Sequence, residues 1–345
     1  MSKHYLFFVS LTYSYSILRP LQKEILRRGD QAAWFIEEPC EDKLVDGELR
    51  LYSIDEVMEY NPIAVFAPGN WVYDFFPGVK VEVFHGYAMK KRIEKIDDHF
   101  TIRGWFDIYC TQGPSSTTYF KELEKKHGFF KVYETGWCKV DPFFEKRELP
   151  QRARPVILYS STFSRNITSA PYLLETITQL AETKSWDWII TFHPKLDNPD
   201  LIEKYKHLAE THENVTFCSN YGLNTLEKMD VLLCDSSSII VEVLMLEKPV
   251  VTFRNTNPGN YLIDVLNENE VGDAIEKALT RPKELMENSL AYTLNQEAHR
   301  DGKNASRVLD AVDDFIENYK GKIRKKPLNL IRKIKIRLKA KYYRF

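Results

Sequence analysis

Apolar runs four to six residues long alternate along the chain with longer stretches in which apolar positions recur every three or four residues. Short runs bounded by turn residues read as buried strands, and the longer period reads as helix. In the first half this predicts strands at Tyr5 to Val9, Ala33 to Ile36, Ile63 to Phe66, Val79 to Phe84, Asp107 to Thr111 and Lys131 to Glu134. A helix around Leu18 to Arg28 stops at Gly29, and another follows Ser115 and Ser116, whose side chains suit N-caps. The second half repeats the scheme, with strands at Val156 to Ser160, Trp188 to Phe192, Val215 to Cys218, Asp230 to Cys234 and Val250 to Phe253. Helices are predicted around 171–183, 200–211, 238–247 and 271–279. Such alternation is the pattern of an α/β fold with parallel sheets. The polar stretch Glu145 to Pro155, bracketed by Pro142, Pro150 and Pro155, reads as a linker. The expected division is therefore 1–145, 146–319 and a tail, 320–345. Two α/β domains of this kind take ligands in the cleft between them, at the carboxyl ends of their strands.

A length of 345 residues agrees with roughly two domains of ~150. No apolar run approaches the ~20 residues that span a bilayer, and no small-residue cleavage site follows the first strand, so neither export nor membrane crossing is expected. The five cysteines are scattered and never form a Cys-x-x-Cys pair, which argues against a disulfide framework or structural zinc. They are expected to be reduced and buried in a cytoplasmic protein.

Charge changes this picture. The net charge of -1 hides a tail, 320–345, with twelve Lys/Arg and no acid; the remaining 36 basic residues stand against 49 acidic ones in 1–319. An acidic body with a basic tail predicts an anionic membrane surface as the tail's partner, and no nucleic acid. As a helix, the tail aligns Leu328, Ile331, Ile334, Leu338, Tyr342 and Phe345 in one stripe, with Ile336 off it. Lys333 to Lys341 also alternates as a strand would, and a solvated or subunit-packing tail is the alternative.

Three polar clusters follow predicted strands directly: His85-Gly86 with Lys90, Lys91 and Arg92; His193-Pro194-Lys195; and Asp235-Ser236-Ser237-Ser238 leading into a helix with Glu242. The serine run offers backbone N–H groups and hydroxyls to a phosphate, or its serines simply cap the helix. Glu242 can accept hydrogen bonds from a ribose. His193 can donate to a phosphate oxygen, with Lys195 as a second donor. Histidine is the usual side chain for removing a proton from a hydroxyl, which suits His85, and Gly86 allows a positive φ or close approach of a ligand. No Gly-x-Gly-x-x-Gly or Gly-Lys-Ser/Thr loop is present, so a nicotinamide enzyme or P-loop kinase has little support. Nothing requires a metal or cofactor.

In order, His85-Gly86 with Lys90, Gly136 to Asp141, Leu158-Tyr159-Ser160-Ser161-Thr162-Phe163, His193-Pro194, Asp235 to Ser238 with Glu242, and Asp301-Gly302-Lys303-Asn304-Ala305-Ser306-Arg307 resemble the CDP-glycerol glycerophosphotransferase family. That family comprises the teichoic-acid primases and polymerases, and the match spans about residues 65 to 315. The chain departs from the pattern where His-Gly lacks a following Thr-Pro, where Lys139 replaces Arg and where Ser236 replaces Tyr. The resemblance implies a GT-B fold of two Rossmann-like domains and attack of an acceptor hydroxyl on the glycerol-bearing phosphorus of CDP-glycerol or a related CDP-polyol, releasing CMP. It implies His85 as general base, His193 as a pyrophosphate contact, Ser237 and Ser238 as phosphate ligands and Glu242 at the ribose, with Ser306 or Arg307 supporting the donor pocket. It also implies a lipid-linked or glycan acceptor at the inner membrane face. A GT-B glycosyltransferase using a nucleotide sugar is the rival reading, since the same serine cluster would hold its pyrophosphate. An epimerase of the same architecture or a membrane-tethered binding module is more remote.

Overall fold

The computed structural model describes residues 2–87, 100–145, 152–193, 195–219 and 221–343. They form two units, each built on a wholly parallel sheet.

The first unit begins with β1 (His4–Val9), α1 (Ser14–Arg27), β2 (Gln31–Ile36), β3 (Leu49–Leu51), α2 (Ile54–Tyr60), β4 (Ala64–Ala67) and β5 (Val79–Glu82). It continues with β6 (Ile108–Thr111), α3 (Pro114–His127) and β7 (Lys131–Glu134). The sheet order is β3-β2-β1-β4-β5-β6-β7. β1 pairs with β2 and β4, as in Tyr5↔Ala32 and Tyr5↔Ala64, so the chain winds outward one way and then the other. Strands covered on both faces need apolar residues throughout, and Tyr5 to Val9 are all buried. Between β1 and β4 the winding reverses, which opens a crevice at their carboxyl ends.

The second unit contains β8 (Val156–Ser161), α4 (Ala170–Thr183), β9 (Asp187–Phe192), α5 (Pro199–Thr211), β10 (Val215–Cys218) and α6 (Leu223–Lys228). β11 (Val231–Cys234), α7 (Ile239–Met245), β12 (Val250–Phe253), β13 (Ile263–Val265) and α8 (Val271–Leu279) follow. Its sheet order is β10-β9-β8-β11-β12-β13, with the reversal between β8 and β11. Trp188, Tyr159 and Tyr205 fill its core.

Several sequence expectations are altered. Gly113, not Ser115 or Ser116, is the N-cap of α3: a Cβ at Gly113 would lie 2.6 Å from the carbonyl of Gln296, so only glycine fits there. After α9 (Lys283–Gln296) the chain returns to the first unit, which holds residues 295–343. The second unit thus closes at 294 and not at 319. The reason is α10 (Asn304–Asp314), whose buried Ala305, Val308, Leu309 and Val312 serve the first unit. Arg28, next to α1, donates to Ser306 and pairs with Asp310 on that helix. Of the cysteines, Cys110, Cys138 and Cys234 are buried, whereas Cys40 and Cys218 are half-buried.

The tail forms a helix, α11 (Leu330–Lys339). Ile336 and Ala340, which the stripe omits, pack on the first unit's core, and Tyr342 of the stripe also turns inward, stacking on Phe75 at 4.6 Å. Around them Lys339 pairs with Glu37, Lys333 with Asp74 and Lys326 with Asp107, and Arg332 lies 3.7 Å over the Trp105 ring. Leu328, Ile331, Ile334 and Leu338 remain 69%, 74%, 42% and 56% exposed. Among the described residues, no helix is long and apolar enough to cross a membrane.

Candidate active site

In the first unit the chemistry gathers at the winding reversal. His85 lies three residues beyond β5, exposed, with its ring stacked on Tyr13 from the β1–α1 loop at 5.4 Å. Its Nδ1 is 3.1 Å from the carbonyl oxygen of Pro68, one residue beyond β4. A carbonyl only accepts, so Nδ1 carries the proton and Nε2 of the neutral ring is the acceptor nitrogen. The residue before it, Phe84, is buried with φ +56, a conformation that costs a bulky side chain about 1–3 kcal/mol and collects at functional sites. Its carbonyl accepts from Trp137 Nε1 at 3.2 Å, and its ring packs edge-on against Phe120. The carbonyl of Gly86 accepts from Gln112 Nε2 at 2.8 Å.

Two residues that the sequence reading passed over stand beside His85. Glu82, at the end of β5, is 5% exposed and makes no hydrogen bond among the described residues; burial pushes its carboxyl well above the usual range. Local desolvation, and after it the charge of Glu82, push the Tyr13 phenol up to about 12. A charged residue inside the run Val79 to Phe84 was the available signal, since a strand buried on both faces seldom carries one.

The second unit gathers its polar residues at its own reversal. Asp235, fully buried after β11, accepts from Ser161 Oγ at 2.7 Å, from Thr162 N, and from Ser169 through both N and Oγ at 3.0 Å. Burial raises the pKa of its carboxyl although these donors pull it down. Asp235 therefore ties the loop after β8 to the loop after β11 and is not presented to a ligand. Ser236 is similarly engaged, accepting from Thr256 N at 2.8 Å in the loop after β12. The hydroxyls of Ser237 and Ser238 are half-buried and make no hydrogen bond among the described residues. Ser238 stands at the N-cap of α7 without capping it. Glu242 is buried one turn into α7.

His193 follows β9, exposed, with the ring of Phe163 packed at 4.5 Å. Here Lys195 N donates to Nδ1 at 3.1 Å, so Nε2 bears the proton of the neutral ring. The Lys195 ammonium lies 5.9 Å from the centre of the same Phe163 ring. His85 and His193 thus hold opposite tautomers, one offering an acceptor nitrogen and the other a donor.

Ser306 and Arg307 lie on α10 of the first unit. Ser306 Oγ takes Arg28 at 2.7 Å, and Arg307 forms a two-pronged pair with Asp301 at 2.9 and 2.6 Å. Gly86 has no positive φ, and a Cβ there would meet nothing within 4 Å; the left-handed position is Phe84. Lys90, Lys91, Arg92 and Pro194 lie outside the described residues.

No protein-family model matches the chain, and no curated protein sequence matches it significantly. Solved structures do. The wall teichoic acid polymerase TagF, soaked with CDP-glycerol, superposes with a TM-score of 0.60 at 15% identity over 91% of this chain and 89% of that one. A UDP-GlcNAc 2-epimerase from Neisseria meningitidis bound to UDP-GlcNAc gives 0.58 at 14% identity over 92% and 100%. A glycosyltransferase from Rickettsia africae gives 0.55 at 13% over 92% and 100%. The chain has the α/β fold of two Rossmann-like units that GT-B enzymes share.

Proposed function

We propose that this protein transfers glycerol phosphate, or a related polyol phosphate, from CDP-glycerol to a hydroxyl acceptor in cell-surface polymer synthesis and releases CMP. The tautomer of His85 carries this reading. His85 Nε2, fixed as acceptor by the Pro68 carbonyl, takes the proton of the acceptor hydroxyl. The oxygen then attacks the glycerol-bearing phosphorus, the bond to the bridging oxygen breaks, and the electron pair leaves with CMP. His193 Nε2–H and Lys195 stabilise the charge that develops on the phosphate oxygens. Ser237 and Ser238 hold the donor phosphates, with Asp235 and Ser236 bracing their loop from beneath, and Glu242 reads the ribose. Likeness to TagF in fold supports this assignment. The likeness to a UDP-GlcNAc-bound epimerase favours a second reading, a nucleotide-sugar enzyme using the same serines.

We read the tail as holding the protein at the inner face of the cell membrane, near a lipid-linked or glycan acceptor. The exposed stripe Leu328, Ile331, Ile334 and Leu338, set among basic residues without an acid, suits an anionic bilayer.

Calorimetry with CDP-glycerol, CDP-ribitol, UDP-glucose and CMP tests the assignment. Binding is expected to select a CDP-polyol and to weaken in Ser237→Ala. His85→Ala should leave donor affinity within about twofold and lower turnover roughly 10²–10⁴-fold. Preference for UDP-glucose would establish the nucleotide-sugar reading instead.

A further inference from the structure

The turn that carries His85 is held at three points, and all three lead to one short segment. Trp137 Nε1 holds the Phe84 carbonyl, Gln112 Nε2 holds the Gly86 carbonyl, and the Tyr87 hydroxyl donates to Glu297 Oε2 at 2.8 Å. Trp137 in turn donates its backbone N–H to Glu297 at 3.0 Å, and the Gln112 carbonyl accepts from Ala298 N at 2.9 Å. The Ala298 bond couples the Gln112 anchor to the residue after Glu297. Glu297 is fully buried; Asn304 Nδ2 donates to its Oε1 at 3.2 Å, and a Cβ on Gly136 would come within 2.2 Å of that atom.

A carboxyl is a poor spacer. Burial penalises its charged form, and an apolar side chain of similar size would fill the volume without that penalty. What it supplies is an acceptor for several donors at once, which orients them together. We propose that Glu297 is a positioning residue which, through Tyr87 and Trp137, fixes the orientation of the His85 imidazole; this rests on the reading of His85 as the base. Burial pushes the Glu297 carboxyl up to about 8, against the pull of Tyr87. The charged and titratable groups around it are Tyr87 on the His85 turn, Cys138 and Asp141 on the turn after Trp137, and Arg307 on α10. The N–H of His299 also faces it.

The test uses the full chain with Tyr87→Phe, Glu297→Gln and the pair combined. Tyr87→Phe removes one hydroxyl and keeps the question open if Glu297→Gln does not fold. Nitrogen NMR of selectively labelled histidine should show His85 with its proton on Nδ1 in the parent. A mixture of tautomers and a shifted titration curve are expected in either variant. Turnover with CDP-glycerol should fall roughly 10- to 100-fold with little change in KM, as displacement of a catalytic group does. The double variant should be no worse than the more impaired single one, since both cut the same tether. An unchanged tautomer with unchanged turnover would overturn the proposal. If the parent transfers nothing from CDP-glycerol, the functional reading fails, and the NMR result still decides the role of Glu297.

Discussion

Two imidazoles of the same intrinsic chemistry are set apart here by what each Nδ1 meets: a carbonyl at His85, an amide N–H at His193. The neighbouring Glu82 poses a different problem, because it is a buried carboxyl without a hydrogen bond among the described residues. Its folded-state pKa lies above the unfolded value of about 4.5, so above that pH the folded chain binds the proton that the unfolded chain has released. Stability contributed by the protonated form is therefore full below the unfolded pKa and declines as pH rises toward the folded one. Glu82→Gln should match the parent near pH 4 and exceed it in melting temperature by a few degrees near pH 8, with a margin that grows with pH. Thermal scans across pH 4–9 check this, and parallel curves for the two proteins would mean that Glu82 is ionised in the fold.

At the scale of elements, strands whose residues are all apolar were legible because burial on both faces demands it. β1 and β8 begin within a residue of their expected starts. β3 and β13, each three residues long, carry too little pattern to be read. The apolar face of α10 is visible in the sequence, but not which unit it covers, since that depends on a contact with α1 across more than 270 positions. The site shows the same division. His85, His193 and the serine run stood out as polar residues after strands, whereas the bracing part of Asp235 and the tether at Glu297 exist only once distant loops meet. Glycines sharpen the contrast. Gly136, at φ +76 against Glu297, should lose about 2–4 kcal/mol on substitution by alanine through strain and overlap, while Gly86→Ala should be near neutral. Denaturant midpoints of the two variants measure the difference, and equal midpoints would contradict the packing around Glu297.

Over the whole molecule, charge and apolar surface are arranged so that the tail is both held and open. Its inward face uses Ile336, Ala340, Lys326, Lys333 and Lys339 against the first unit, while Lys325, Lys335 and Lys341 stay exposed around the apolar stripe. Deleting the tail would uncover core residues as well as remove the stripe, so deletion alone confounds folding with docking. Substituting Ile331, Ile334 and Leu338 together by glutamate changes only the outward face and leaves the inward pairs in place. In vesicle flotation the parent should bind bilayers rich in phosphatidylserine and ignore neutral ones. Each basic residue near the surface contributes ~1 kcal/mol, so raising salt should weaken the binding. The triple variant should stay in the soluble fraction with an unchanged melting temperature. Binding that survives the substitutions would assign the stripe to another partner, because an interfacial helix cannot insert a face that carries three carboxylates.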